Sequence, residues 1–382
     1  LGRPAPQITI ATNLKEFGMR LWSMLLLVCV VETWLSMATL GVHAAEAGEI
    51  QLERIFGPEL PHPYKHPASF TQLSDGDFYL VYYAGQGEYA QDTFVCGSRY
   101  SSQDGKWSPP EIISDTPFRS EGNAVVWQAP DGLVWLYHVI RYGDTWSNSR
   151  IVAKISRDGA RTWSDPIVVA FGEGMMVRSR PIDLGHGDHL LPVYHETGAD
   201  IEQVGADSSS LFLKYDHATH QWTESNRVHS RLGNIQPAVA RAGDDKLVAY
   251  CRRGGGYGPS TDGYIVRTES RDNGVTWSSG EDSKFPNPNA AVDFIRLQNG
   301  HLLLVYNDSM EDRTPLTVAI STDGDKTYPH RRDIATGPGD FAYPTVLQAG
   351  DGKIHVVYTT DERTVIRRAI FDESAILGHH KP

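Results

Sequence analysis

Cationic and titratable side chains gather at two kinds of position in this sequence. One set stands where apolar strands begin: Lys65 and His66, Asn123, Arg178 and Arg180, Gln236, Asn289 and Tyr343. The other follows short apolar runs that end in tyrosine: Glu88 and Asp92, His138 and Arg141, His195 and Glu196, Arg252 and Arg253, Asn307, Asp308 and Arg313, then Asp361 and Arg363. Arginine forms paired, charge-assisted hydrogen bonds to a carboxylate, each worth about 1.5–3 kcal/mol. Carboxyl, imidazole and phenol groups serve proton transfer and nucleophilic attack. Together these residue types suit an anionic small ligand. Taken singly, an arginine after a strand is an ordinary loop residue, His66 beside Pro67 is a turn histidine and Tyr343 is an aromatic wedge. The joint pattern carries the reading.

The elements that must position these groups are repeated. A turn followed by an apolar run ending in tyrosine occurs six times, at Tyr82, Tyr137, Tyr194, Tyr250, Tyr306 and Tyr358, with spacings of 55, 57, 56, 56 and 52 residues. A second marker keeps the same period out of phase. Ser270 to Trp277 reads S-x-D-x-G-x-T-W, Ser156 to Trp163 and Ser321 to Tyr328 follow it closely, and weaker copies lie at Ser101 to Trp107 and Tyr215 to Trp222. In these boxes the Asp and Ser side chains satisfy turn N–H groups over a tucked aromatic, a structural task. A period of about 56 residues suits four short antiparallel strands. The expected fold is therefore all-β, a six-bladed β-propeller of four-stranded antiparallel blades with Asp-box turns. Its innermost strands are expected at 64–73, 123–129, 178–184, 234–242, 289–297 and 341–347, with the chemistry gathered at one mouth of the central channel.

The rest of the chain sets limits. It has 382 residues and a formal net charge of −12 without a Lys/Arg run, which argues against nucleic acid. The three cysteines, Cys29, Cys96 and Cys251, form no framework and no C-x-x-C spacing. No phosphate-binding loop, dinucleotide fingerprint or H-E-x-x-H is present, so no cofactor and no metal are expected. Arg20, the apolar run Met24 to Val31 and the small residues at Ala44-Ala45 have the order of a secretory signal. Residues 1–18 read as an over-called upstream extension, 19–44 as the signal peptide and 45–382 as the propeller. That reading makes the mature protein secreted or periplasmic, with no stable membrane span, because the apolar run is shorter than the ~20 residues a span needs.

The boxes together with Tyr64-Lys65-His66-Pro67 resemble the sialidase (neuraminidase) superfamily over residues 50–375. The resemblance implies a carboxylate clamp, an aspartate acid/base and a tyrosine nucleophile assisted by a glutamate. It carries the clamp onto Lys65, Arg252, with Arg253 as the register alternative, and Arg313. It carries the acid/base onto Asp92 and the nucleophile onto Tyr343. The sequence departs from the family at two of these places. Lys65 offers a point charge where the family has a planar guanidinium. The glutamate position reads Gln236, which cannot take a proton from a phenol of pKa about 10.

Three functions follow as expectations. The leading one is a secreted sialidase-like exo-glycosidase acting on a terminal acidic sugar of a glycan. The second is a hydrolase or lyase of a uronate-containing polysaccharide, with His66 as acid or base. The third is a catalytically silent carbohydrate-binding propeller, as loss of the glutamate would leave.

Overall fold

The structure is a computed structural model, and it describes residues 48–59, 62–199 and 203–378. The upstream extension and signal peptide read from the sequence lie outside the described residues.

Among the described residues, alternation of apolar and small residues with turn signals produces six blade sheets, each a meander whose first strand lines the channel, and one two-stranded ribbon in which Gln203–Val204 pairs with Gly255–Gly256. The first blade orders Tyr64–Gln72, Phe78–Gly85 and Phe94–Ser101, and Lys106–Trp107 and Glu111–Ser114 both pair with that third strand. The second runs Ser120–Gln128, Val134–Arg141, Ser149–Ser156 and Ile167–Ala170. The fourth and fifth blades begin with Asn234–Gly243 and Asp293–Arg296, and the sixth with Ala342–Gln348. The ring closes through an element that sequence analysis did not assign. Gln51–Phe56 pairs antiparallel with Val365–Phe371 and becomes the outer strand of the sixth blade. Such closure leaves no long free sheet edge.

Two innermost strands depart from expectation. In the third blade the strand is broken into Met175–Val177 and Ile182–Gly185, both paired with Asp188–His195, so Arg178 to Pro181 leave the ladder. Pro181 has no N–H to donate there, which fits a break. In the fifth blade Asn289 stands ahead of the strand, in a left-handed conformation with φ of 57°.

The strand starts share a local device. The innermost pairings shift register between His66 and Ser69, Gly122 and Val125, Ile235 and Ala238, and Ala342 and Thr345. Within three of these bulges a non-glycine residue has positive φ: Asn123 at 47°, Gln236 at 55° and Tyr343 at 54°. A bulge re-aims a side chain that a regular pleat would direct elsewhere. Here it turns those of Asn123, Gln236 and Tyr343 toward one mouth of the channel.

The Asp boxes keep the far ends of the blades. Asp158 Oδ1 accepts from the backbone N–H groups of Arg161 (3.1 Å) and Thr162 (2.9 Å), while Ser156 Oγ donates to that same carboxylate at 2.8 Å. Asp272 and Asp323 repeat the arrangement with Thr276 and Thr327. The box aromatic Trp277 is buried, stacks on Phe212 with ring centroids 3.7 Å apart and donates its indole N–H to Gly274 O. Cys96 and Cys251 are both buried and free. Replacing Trp277 with alanine is expected to lower the unfolding free energy by about 3–5 kcal/mol. Urea unfolding reads this as a fall in midpoint with the slope unchanged, and an unchanged midpoint would contradict the packing role.

Candidate active site

Tyr343 is the centre of the mouth. Its Oη accepts a hydrogen bond from Arg252 Nη1 at 2.8 Å, and the Gln236 side-chain amide lies 3.5 Å away. Its ring meets the His66 imidazole edge-on, with centroids 4.2 Å apart. The guanidinium carbons of Arg178, Arg313 and Arg252 lie 5.3, 5.5 and 5.9 Å from the ring centre. Burial alone pushes this phenol up, but the charges of Arg252, Arg313 and Arg363 outweigh it, and the net shift is below the ordinary tyrosine value. Neighbouring tyrosines shift the other way. Tyr194, on the same cavity, is pushed well above its usual value by burial.

Each arginine is placed differently. Arg252 comes from the second strand of the fourth blade, Lys246–Arg253, and is fully buried. Its Nε donates to Asn289 Oδ1 at 2.6 Å, its Nη1 also reaches Gln236 Oε1 at 3.2 Å, and its Nη2 has no partner. Arg253, one residue on, points to the other face of the strand and donates to the carbonyls of Asn287 and Gly254. It therefore braces the neighbouring loop, and the register question falls to Arg252. Arg313 donates to Asn289 O and lines the cleft. Arg178 donates to Pro344 O (2.8 Å) and Thr345 Oγ1 (3.3 Å), holding the bulge that carries Tyr343.

The structure does not bring Lys65 to this cluster. Strand alternation sends its side chain to the face opposite His66, where Nζ donates to His62 O (2.7 Å) and Pro63 O (3.3 Å). The cation that does stand beside Arg313 is Arg363, which pairs with Glu88 and donates to Tyr64 Oη at 3.2 Å. Arg363 belongs to the residues after the sixth tyrosine run, and only its distance in sequence from Tyr64-Lys65-His66-Pro67 hid the connection. Asp92 is likewise off the site. It is exposed in the turn ahead of Phe94–Ser101 and is not among the residues lining the cleft, and Glu88, earlier in the same loop, takes the inward place, accepting from Trp146 Nε1 and Tyr64 Oη at 3.4 Å each.

His66 and Glu196 complete the lining. Thr359 Oγ1 donates to Ala342 O at 3.2 Å, so it accepts from His66 Nδ1 at 2.8 Å. Nε2 is buried and without a partner, and in the tautomer with the proton on Nδ1 it presents a free lone pair. Burial, joined by the charges of Arg363 and Arg313, holds the imidazole well below its usual pKa, so it is neutral. Glu196 lines the inner cavity with Tyr343 and Arg252, and burial pushes its carboxyl up to about 7 against the pull of Arg252. Trp146 closes one wall by packing on Gly122, where a Cβ would lie 2.7 Å from the indole. Above these groups opens a cleft of about 750 Å³ lined by Glu88, Tyr89, Tyr257, Arg313, Tyr343 and Arg363, among others. Among the described residues, no group of three or more His, Cys, Asp and Glu is placed to hold a metal ion.

Residues 76–356 match the family model described as the BNR repeat-like domain. The chain belongs to that family. No curated protein matches it in sequence. Among solved structures, the Hadza microbial sialidase Hz136 superposes with a TM-score of 0.68 at 17% identity, covering 82% of this chain and 66% of that one. The leech intramolecular trans-sialidase gives 0.70 at 12% identity, covering 86% and 71%. The α-L-arabinanase of Penicillium chrysogenum, complexed with arabinobiose, gives 0.63 at 14% identity, covering 85% and 98%. At these identities the likeness is one of fold, and it confirms the sialidase-like six-bladed propeller.

The electrostatics of Tyr343 can be read directly. In an ultraviolet titration one phenol should ionise below the ordinary tyrosine range and disappear in Tyr343→Phe. Arg252→Met should move it upward. A titration curve unchanged by Tyr343→Phe would contradict the assignment.

Proposed function

We propose that this chain is an exo-acting glycoside hydrolase that removes a terminal acidic sugar, sialic acid or a close relative, from a glycan outside the cytoplasm. One observation carries the reading: a buried tyrosine hydroxyl held by Arg252 among guanidiniums, at the floor of a cleft wide enough for a sugar. Arg313, Arg363 and the unpartnered Nη2 of Arg252 bind the sugar carboxylate. The neighbours of known fold whose names include sialidase activity support the substrate class, and the signal-like order of residues 19–44 supports secretion.

In the proposed reaction the Tyr343 oxygen bonds to the anomeric carbon as the glycosidic C–O bond breaks. Glu196 gives its proton to the departing oxygen, because a carboxyl raised to about 7 keeps a large protonated fraction near neutrality. Water then attacks the same carbon, its proton returns to Glu196, and the sugar leaves with Tyr343 restored. Gln236 takes no proton. It orients the phenol, and the arginine field replaces the missing base in favouring phenolate. Asp92 and Lys65, the sequence-based assignments for acid/base and first cation, give way in this proposal to Glu196 and Arg363.

Release of fluorophore from a fluorogenic sialoside tests the reading. Tyr343→Phe is expected to cut turnover by about a thousandfold or more, and Lys65→Met to leave it nearly unchanged. Turnover by wild type no greater than by Tyr343→Phe would overturn it. The wild-type rate should fall as pH rises through about 7, and Glu196→Gln should abolish that limb. The same raised pKa has a stability sign. Folding binds the Glu196 proton more tightly than the unfolded chain does, so this contribution is present at low pH and is lost as pH rises toward 7. Glu196→Gln should therefore raise the melting temperature at pH about 8 relative to wild type, and not at pH about 4, below both pKa values.

A second reading is favoured by the bare Nε2 of His66. A neutral imidazole with a free lone pair, next to a carboxylate clamp, suits removal of the proton beside a uronate carboxyl, with elimination of the linked sugar oxygen. An unsaturated uronate chromophore formed from polygalacturonate by wild type and lost in His66→Ala would support it. Equal yields from the two proteins would rule out that role.

A further inference from the structure

Among the described residues, four aromatic side chains are exposed: Phe118 at 98%, Phe171 at 82%, Tyr142 at 50% and Tyr257 at 39%. In an antiparallel meander the loops before each innermost strand and after each second strand share one face. All four aromatics are on such loops, and Tyr257 already lines the cleft. The other three crown the second blade. They are linked through charged groups: Arg119, next to Phe118, lies 5.1 Å from the Tyr142 ring centre, and Arg150 lies 5.8 Å from it. Arg150 pairs with Glu173, two residues beyond Phe171. Arg141, adjacent to Tyr142, is wedged between Tyr89 (5.6 Å) and Trp146 (5.2 Å), both walls of the site. The ridge is thus continuous with the cleft through Arg141.

Phe118 has a second peculiarity. It is held at φ of 62°, within a turn closed by Arg119 N–H on Thr116 O. That conformation costs a non-glycine residue about 1–3 kcal/mol, and full exposure returns no packing to offset it. Aromatic faces separated by guanidiniums suit a chain of rings with apolar C–H faces and acidic substituents. They do not form the contiguous apolar patch expected of a protein or lipid contact.

We propose that Phe118, Tyr142 and Phe171, with Arg119 and Arg150, bind the acidic oligosaccharide that extends from the sugar held in the cleft. Each ring stacks on one sugar face and the arginines meet the carboxylates. The site therefore favours the tip of an acidic chain over a free monosaccharide. This proposal rests on the reading of the cleft as an acidic-sugar site, and its test is made independent of turnover.

Binding is measured calorimetrically on Tyr343→Phe protein with two pairs of probes, pentameric oligosialic acid against N-acetylneuraminate, and pentagalacturonate against galacturonate. At least one pentamer is expected to bind about tenfold or more tightly than its monomer. Phe118→Ala combined with Phe171→Ala should remove that gain while leaving monomer binding and the melting temperature unchanged. Arg313→Met should weaken monomer and pentamer alike. Pentamers that bind no tighter than monomers, or a gain that survives the double substitution, would overturn the ridge. Loss of self-association in the double variant, with pentamer affinity intact, would assign the surface to a second copy and likewise overturn it. If no glycoside is ever hydrolysed, the enzymatic reading fails alone, because these affinities do not require turnover.

Discussion

The structure turns on the burial of guanidinium groups around one phenol. Removing an ion from water costs several kcal/mol even after the protein relaxes, and Arg178 and Arg252 are among the largest fully buried side chains. Their charges are met by oriented dipoles: Asn289 and Gln236 on Arg252, and Pro344 O and Thr345 Oγ1 on Arg178. The Tyr343 oxygen is the acceptor they share an interest in, since ionising it would neutralise part of the excess. A phenol in this field becomes more acidic, and an imidazole in the same field, His66, is kept neutral. One electrostatic cause thus sets both groups in chemically useful states. An anionic ligand completes the same balance.

Holding that arrangement needs a rigid ring. The residues gathered around Tyr343 come from five blades: His66, Asn123, Gln236 and Tyr343 itself stand near the starts of innermost strands, and Arg178 stands in the break of the third blade's. Left-handed backbone at Asn123, Gln236 and Tyr343 costs about 1–3 kcal/mol at each position, sustained by the packed strands on either side and by the terminal strand Gln51–Phe56 that closes the circle. Arg178 ties the third blade to the sixth by bonding the carbonyl of Pro344, directly after Tyr343. The site and the closure of the propeller are therefore one problem of mechanics. Gln236 shows the economy of the arrangement: an amide can both accept from Arg252 and direct its own N–H toward the phenol, which a carboxylate cannot.

Much of this was legible in the chain. The period of the tyrosine runs and Asp boxes announced six blades, and Tyr343, Gln236, His66, Arg252 and Arg313 were named from their places at strand ends. Two of the expected site residues stand outside the cluster around Tyr343 for one reason. Lys65 and Asp92 were assigned from their positions within a motif and a loop, yet a one-residue change of face decides which side chain enters a channel. His66 takes the face that Lys65 was expected to use, and Glu88 precedes Asp92 on the inward side of its loop. The dipeptides His66-Pro67, Gln236-Pro237 and Tyr343-Pro344 held an unused cue. Proline inside an innermost strand removes a ladder hydrogen bond and marks a bulge.

By itself the sequence determined the repeat, the all-β class and the cationic, titratable character of one mouth, because these depend on local periodicity and on residue type. Tertiary structure alone decided that Arg363 stands beside Arg313, that desolvation raises the Glu196 carboxyl to about 7, and that the first and last described strands of the ring pair. Those outcomes depend on distances between residues far apart in the chain. Charge–charge energies and desolvation vary with such distances, and no spacing in a sequence encodes them.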